Sequence, residues 1–377
     1  MDFNLREHEK MLQRSAKDFA DREIRPQAAE IDIKCEFPFD VVAKMAQMGY
    51  FGLPYPTDYG GSGAGYTGFS LVIEQLSRAS MVTGAIMGVM SLTGEALFRH
   101  GIEGQRQTHL VSLASGAMIA SFAFTEAATG SDPSSIDTRA VPDGDDYIIN
   151  GQKHFITLSP ASKICLVFAM DETNKLTAFL VDTSSPGYQI RHACPTMGAR
   201  GFCPSVIYLD DIRVPRKNIV GEKSNGYSIL LESVSVGKLA ISAEAVGVAQ
   251  EAFDLSMSYA KERTAYDKPI SNLASMKGML AEMYSRIEAS RLMTYKTAAL
   301  RDEGKSILKE SATSKLFCSQ AVVDITRMAM QVHGAYGYMS DMSIERLYRD
   351  AKLTEIYEGV SEIQRIIIAN HLLKELG

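Results

Sequence analysis

Tyr357-Glu358-Gly359-Val360-Ser361-Glu362-Ile363-Gln364-Arg365 places a carboxylate one residue before a glycine, in apolar company, where a helix is about to begin. Ser361 reads as an N-cap, and Gln364 three residues on completes a capping-box pattern. Glu358 is therefore expected just outside a helix, on a bend that Gly359 makes easy. From there a carboxylate can project into a cavity instead of lying along a helix surface. Low dielectric would raise its pKa toward neutrality, as a general base requires. On the local pattern alone, a solvated loop acid is the plainer reading.

Working outward, the chain from Gly226 to Gly377 has a helical pattern. Met276, Met279, Leu280, Met283 and Ile287 form one stripe at helical spacing, which reads as bundle core. Before it, β-rich runs recur at short intervals: Ile119–Phe124, Tyr147–Ile149, Ile164–Ala169, Thr177–Val181 and Val206–Leu209. Pro142-Asp143-Gly144-Asp145 and Ser185-Pro186-Gly187 supply turns between them. The N-terminal part is helical again over Leu5–Ile31, Phe39–Met48 and Tyr66–Leu113. It is interrupted by the Pro- and Gly-rich loop from Gly52 to Gly63. These patterns predict an α+β chain in three parts: helical 1–118, β 119–225 and helical 226–377. The sequence shows no internal repeat.

At 377 residues, with 46% apolar and 22% charged residues, the chain can bury a large core. A net charge of −6 argues against nonspecific nucleic-acid binding. Cys35, Cys165, Cys194, Cys203 and Cys318 are scattered, odd in number and without metal spacing, so free thiols in a reducing cytoplasm are the plain expectation. Met1-Asp2-Phe3-Asn4 lacks the apolar core of a signal peptide. No run of ~18 apolar residues suggests a membrane span.

Arg349-Asp350-Ala351-Lys352, then Ile356-Tyr357-Glu358-Gly359, then Ser361-Glu362-Ile363-Gln364-Arg365 resembles the C-terminal signature of the acyl-CoA dehydrogenase family. The resemblance extends in order along the whole chain. It implies an N-terminal helical domain, a middle β-barrel or sandwich and a C-terminal four-helix bundle. In most members the glutamate of this signature removes the substrate α-proton, which assigns Glu358 as the catalytic base. Phe122-Ala123-Phe124-Thr125-Glu126-Ala127-Ala128-Thr129-Gly130-Ser131-Asp132 is similar to the flavin-binding segment, with Ala127 where proline is usual. Phe122, Phe124, Thr125, Gly130 and Ser131 would line the flavin, and Ser131 would also approach the thioester arm.

Lys153-His154-Phe155-Ile156-Thr157 resembles the second flavin segment, with Phe155 in place of tryptophan. Phenylalanine keeps an aromatic face and loses the indole N–H. Thr157 is the implied donor to the reactive edge of the ring, and Ile156 joins the cofactor set. Read without the resemblance, Phe155 and Ile156 are β-domain core, and His154 points to solvent. Arg263-Thr264-Ala265-Tyr266-Asp267-Lys268-Pro269 partly matches a family motif whose arginine reaches the flavin dinucleotide of a neighbouring subunit. A guanidinium fork suits a diphosphate. Tyr266 and Asp267 replace phenylalanine and glycine there. Gln331-Val332-His333-Gly334-Ala335-Tyr336-Gly337 resembles the segment whose backbone packs on the adenosine half, through Gln331 and Gly334. His333 is expected to pack or cap. Val360 stands where the family usually has a flavin-contacting threonine, and Glu362 joins the cofactor set by the same resemblance.

Ser235-Val236-Gly237-Lys238 departs most from the family. Some members carry their base just before a characteristic arginine in this helix. Here those positions are Gly237 and Lys238, so that alternative base site is empty and Glu358 is strengthened. Glu244 is a weak rival. Ser235, Ser131, Lys238 and Gly359 make up the implied substrate set. Met81, Met87 and Met90 read as core filler, with acyl-pocket lining as the other reading. The resemblance implies noncovalent FAD, dehydrogenation of an acyl-CoA to the trans-2-enoyl thioester, an electron-transfer flavoprotein as reoxidant, and a homotetramer built as a dimer of dimers. A carrier-protein-bound acyl or aminoacyl substrate, and a non-catalytic helical scaffold, are the alternatives.

Overall fold

The computed structural model describes residues 4–376; Met1-Asp2-Phe3, part of the N-terminal reading, and Gly377 lie outside them. Helices α1 (Glu7–Phe19), α2 (Ala28–Lys34) and α3 (Phe39–Gln47) lead to α4 (Gly65–Ala79) and α5 (Met81–His100), followed by the short α6 (Glu103–Gln105) and α7 (Val111–Ala114). The expected continuous helix over Leu5–Ile31 is instead broken. A π turn at Ala20–Ile24 and a 3₁₀ turn at Arg25–Gln27 separate α1 from α2. Pro26 is the cause, since its ring cannot continue the ladder of the preceding turn.

Every residue of α5 from Met81 to Leu97 is buried. A helix apolar all round belongs in a core, and α5 packs between α4, strand β1 (Ala120–Ala123) and helix α8 (Gly226–Glu262). By length and mean hydropathy it could cross a membrane, but 94% of its apolar window is buried inside the fold. Met81, Met87 and Met90 are all buried in it.

The middle of the chain forms one curled seven-stranded sheet: β1 (Ala120–Ala123), β2 (Arg139–Asp143), β3 (Asp146–Ile156), β4 (Ile164–Met170), β5 (Leu176–Asp182), β6 (Tyr188–Ala193) and β7 (Ser205–Pro215). The order is β1-β4-β2-β3-β7-β6, with β5 also on β4. Five strands overlap the runs read from the sequence. β2 and β6 do not, for a physical reason. β2 buries only one residue and β6 is a polar strand at the sheet's end, so neither carries apolar periodicity.

Helix α8 (Gly226–Glu262) is the spine of the C-terminal part and packs on α4, α5, α9 (Ala274–Asp302) and α10 (Leu308–His333). The two-residue strands β8 (Thr264–Ala265) and β9 (Lys268–Pro269) form a hairpin between α8 and α9. Helices α11 (Ser343–Leu353) and α12 (Ser361–Leu376) close the chain. Of the α9 stripe, Met283 and Ile287 are fully buried, whereas Met276, Met279 and Leu280 are only partly covered.

Salt bridges bind the layers. Glu95 of α5 pairs with Arg301 of α9, both buried, and Tyr66 donates to the same carboxylate. Glu74 of α4 receives Arg291 at 3.1 Å and the Tyr295 hydroxyl at 2.6 Å. Arg349 of α11 reaches Asp32 of α2 at 2.6 Å.

Candidate active site

The turn before α12 is held from two sides. Glu358 adopts a left-handed backbone (φ 52°) and Gly359 follows at φ 97°. A non-glycine residue there costs roughly 1–2 kcal/mol. The turn persists because the Gly359 carbonyl accepts the Lys315 ammonium at 2.5 Å and the Gln364 side-chain amide at 2.8 Å. The Ser361 N–H closes the loop onto the Glu355 carbonyl at 3.1 Å. The capping box read from the sequence is therefore wrong. Ser361 is the first residue of α12, its buried hydroxyl has no partner among the described residues, and Gln364 serves the turn's carbonyls. Lys315 in mid-α10 was missed altogether. The available signal was a lysine at a buried phase of an apolar helix.

The Glu358 carboxyl lies against α8 at Gly237, which has no side chain in its way. A Cβ on Gly237 would stand 1.7 Å from Glu358 Oε2. Thus Gly237 and Glu358 occupy one space, and a carboxylate can be supplied there from α8 or from the turn, not from both. Oε2 is buried and has no hydrogen-bond partner among the described residues. Burial pushes Glu358 up to about 8, against the opposing pull of Lys315 and Lys238. Burial likewise draws Lys238 and Lys315 down to about 8, while Glu358 favours their charged forms. Lys238 is 3% exposed, so its charge bears on the base and not on a partner at the surface. Ser235 is also buried, and its hydroxyl donates to the Glu232 carbonyl at 2.7 Å.

Glu244, two turns further along α8, is buried and bonded to the Tyr357 hydroxyl. Burial pushes it up to about 8, the Tyr357 hydrogen bond opposes, and Glu358 adds to the rise.

A second group of residues gathers where β1 and β3 end. The His154 N–H donates to the Thr125 carbonyl at 2.8 Å, so the loops after β1 and within β3 lie side by side. Beneath them Lys153, fully buried, donates to Glu126 at 2.6 Å and to the Phe124 carbonyl at 3.1 Å. Glu126 also accepts from the backbone N–H groups of Asp137 and Thr138 and from the Thr138 hydroxyl. Burial pushes the Glu126 carboxyl up, but Lys153 and these donors together hold it below its ordinary value. The sequence reading missed this pair. Its only trace was the inward phase of Lys153 in the alternation of β3.

A register shift between Lys153 and Ile156 puts Phe155 at φ 57° and leaves the residue 63% exposed. The β-core reading of Phe155 is therefore wrong. Ile156, 2% exposed, is β-sheet core, which leaves its side chain no face for a cofactor. His154 does not point to solvent; it is half-buried, with Nε2 enclosed and without a partner among the described residues. Phe122 and Phe124 are half-buried against Phe168, with ring centroids 5.0 and 6.1 Å away. Thr125 and Thr157 are half-exposed, and Gly130 and Ser131 are exposed on the adjoining loop. An exposed aromatic face beside a loop of hydroxyls and backbone groups suits a planar heteroaromatic ring carrying polar edges. Val360 is half-exposed, and Glu362 is exposed and pairs with Arg365 at 3.3 Å.

The third group lies at the far end of α8. Tyr259 stacks on buried His333 at 4.4 Å, and His333 Nδ1 lies 2.8 Å from the Ala329 carbonyl. His333 therefore packs, as expected. This stack joins the ends of α8 and α10, so exposed Arg263, Gln331 and Gly334 share one end of the bundle. Tyr266 and Asp267 both have positive φ (53° and 61°), as the two-residue hairpin turn requires. At ~1.5 Å per residue, Arg263 lies about 37 Å along α8 from Lys238.

The chain matches the profiles of the acyl-CoA dehydrogenase N-terminal domain over residues 6–117, middle domain over 121–212 and C-terminal domain over 224–373. It is 40% identical, over 99% of its length and 100% of the relative's, to a Bacillus subtilis (strain 168) protein named "Probable acyl-CoA dehydrogenase YngJ". It is 35% identical, over 98% and 99% of the two chains, to the caffeyl-CoA reductase-Etf complex subunit CarC of Acetobacterium woodii. The solved butyryl-CoA dehydrogenase of Megasphaera elsdenii superimposes with a TM-score of 0.97 at 31% identity, covering 99% of this chain and 100% of that one.

Proposed function

The chain belongs to the acyl-CoA dehydrogenase family, and from that footing we propose that Glu358 is the base that takes the α-proton of an acyl thioester. The protein is an FAD-dependent oxidoreductase acting on the CH–CH bond of an acyl-CoA. Bound FAD supplies the acceptor for the β-hydrogen and its electron pair. Phe155, Thr125, Thr157, Gly130 and Ser131 would hold its ring system, with Phe122 and Phe124 behind them and Ile156 contributing backbone alone. Val360 would meet the ring from the base side, and Ser131, Ser235 and Gly359 would border the thioester.

The observation that carries this reading is the carboxyl of Glu358 in the space left by Gly237. The α-proton of a thioester is far less acidic than a carboxylic acid, so the site must also stabilise enolate character. The left-handed turn offers the Glu358 N–H as a preorganised donor for the thioester carbonyl, an interaction commonly worth a few kcal/mol in such sites. Lys315 and Lys238 keep the base from being pushed further up by burial. Electron-transfer flavoprotein is the proposed reoxidant, supported by the relative that belongs to an Etf complex.

Arg263, too far along α8 to serve a flavin beside Glu358, would reach the diphosphate of a neighbouring subunit's FAD, with Tyr266 beside it. Gln331 and Gly334 would meet the adenosine half, in a homotetramer. The cytoplasm is the proposed compartment. A carrier-bound substrate has two motives, Gly237-Lys238 and the altered Arg263 loop; the first weakens, because Lys238 is buried, and the second stands.

Glu358→Gln keeps the shape and removes the basicity. It is expected to retain FAD and bind acyl-CoA, while flavin reduction in a stopped-flow experiment slows about 10²–10⁴-fold. Flavin bleaching at the wild-type rate would refute the assignment.

A further inference from the structure

We propose that Glu244 and Tyr357 form a hydrogen-bonding floor to the acyl site, which selects a short acyl group carrying a hydroxyl at its far end. The proposal rests on the reading of Glu358 as the base. Glu244 lies on the same face of α8 as Gly237, two turns on, or about 10 Å of helix. Side chains on a helix lean toward its N-terminus, so the Glu244 carboxyl is carried back toward the base. Tyr357 immediately precedes Glu358 and its hydroxyl meets the Glu244 carboxyl. Base and floor therefore belong to one dipeptide closing on one helix face. On the other side α5 packs close at the same level, and the Glu244 carboxyl takes the space that Gly88 leaves: a Cβ there would stand 2.9 Å from Glu244 Oε1 and 3.0 Å from Ala240 Cβ.

The chemistry points to a polar ligand. Glu244 is 1% exposed, and among the described residues the groups acting on it are Tyr357 and Glu358, neither a cation. A buried carboxyl without a cation favours its neutral form, in keeping with its rise to about 8. A carboxylic acid and a phenol together hold two protons, and their mutual hydrogen bond uses one. The pair can thus both donate to and accept from one further hydroxyl. A hydrocarbon terminus would leave that capacity unmet, which a buried polar group tolerates poorly.

The test compares pentanoyl-CoA with 5-hydroxypentanoyl-CoA on the FAD-loaded enzyme. The readouts are kcat/KM for flavin reduction and the calorimetric Kd of the two corresponding 2-enoyl-CoA products, which bind without turnover. The wild type is expected to favour the hydroxylated member by about tenfold or more in both readouts. Glu244→Leu should abolish or reverse the preference, Tyr357→Phe should weaken it, and Glu244→Gln should keep most of it. A wild type that prefers pentanoyl-CoA, or a preference unchanged in both Glu244→Leu and Tyr357→Phe, overturns the floor. If Glu244→Leu does not fold, Tyr357→Phe decides alone. If neither thioester bleaches the wild-type flavin, the dehydrogenase reading fails instead, and the product affinities still report on the floor.

Discussion

Glu358 is a base only while deprotonated, and its surroundings set when that happens. Burial lifts it to about 8, and Lys238 and Lys315 oppose the lift. The rate constant for flavin reduction should therefore rise with pH as the carboxyl loses its proton near 8. Removing a facing positive charge leaves burial less opposed. Lys238→Met should accordingly move the acid limb of the kcat/KM profile to higher pH, and Lys238→Arg should restore it. A limb that stays in place in Lys238→Met would show that Lys238 does not act on the base. The residue-level picture also explains a departure from the family. Gly237 is the space in which the Glu358 carboxyl lies, so the missing side chain on α8 and the carboxylate on the turn are one fact. The glycine and the glutamate were both readable in the sequence as candidates. Their contact was not, because 120 or so intervening positions carry no record of which helix face meets the turn.

Among the elements, β3 illustrates how one strand does two jobs. Its inward residues build the sheet core, and its irregular end turns Phe155 outward. Lys153, at the inward phase just before that irregularity, ties the strand to Glu126 and thereby to the loop carrying Gly130 and Ser131. Both charges are almost completely enclosed. Lys153→Met would strand the Glu126 carboxylate in the interior. Removing one partner of such a pair typically costs about 3–5 kcal/mol. Urea denaturation of the FAD-free protein should register that loss, and FAD should dissociate more readily from the loaded form. Unchanged stability would mean that Glu126 finds another partner or takes up a proton at no cost. The hairpin of β8 and β9 is the second case. Tyr266 and Asp267 replace the family's phenylalanine and glycine, yet the turn still forms with both residues at positive φ. Aspartate tolerates that region better than most residues.

For the whole molecule, α8 sets the scale. It is 37 residues long, with Lys238 beside the base and Arg263 at its end, about 37 Å away. One chain cannot bring both to the same flavin ring and its diphosphate if Arg263 stays where α8 puts it. If a neighbour supplies that arginine, Arg263→Ala should loosen FAD and the oligomer together, by roughly 1.5–3 kcal/mol for a lost charge-assisted pair. Sedimentation of FAD-free and FAD-loaded protein is the measurement, and a monomeric loaded protein would sink the shared site. What the sequence determined by itself is local and periodic. The α+β class, the five strands with apolar, β-rich runs, the α9 stripe and the Glu358-Gly359 bend are all written in neighbouring residues, because propensity, period and turn chemistry act over a few positions. The chemistry of the site came from family resemblance. What only the tertiary structure decided is long-range: that Lys315 and Lys238 flank the base, that Glu244 meets Tyr357, that Lys153 meets Glu126 and that Gln364 holds a turn instead of capping a helix. Each of these joins residues whose meeting depends on packing and burial, and a buried charge looks in sequence like any other charge until the layers that enclose it are in place.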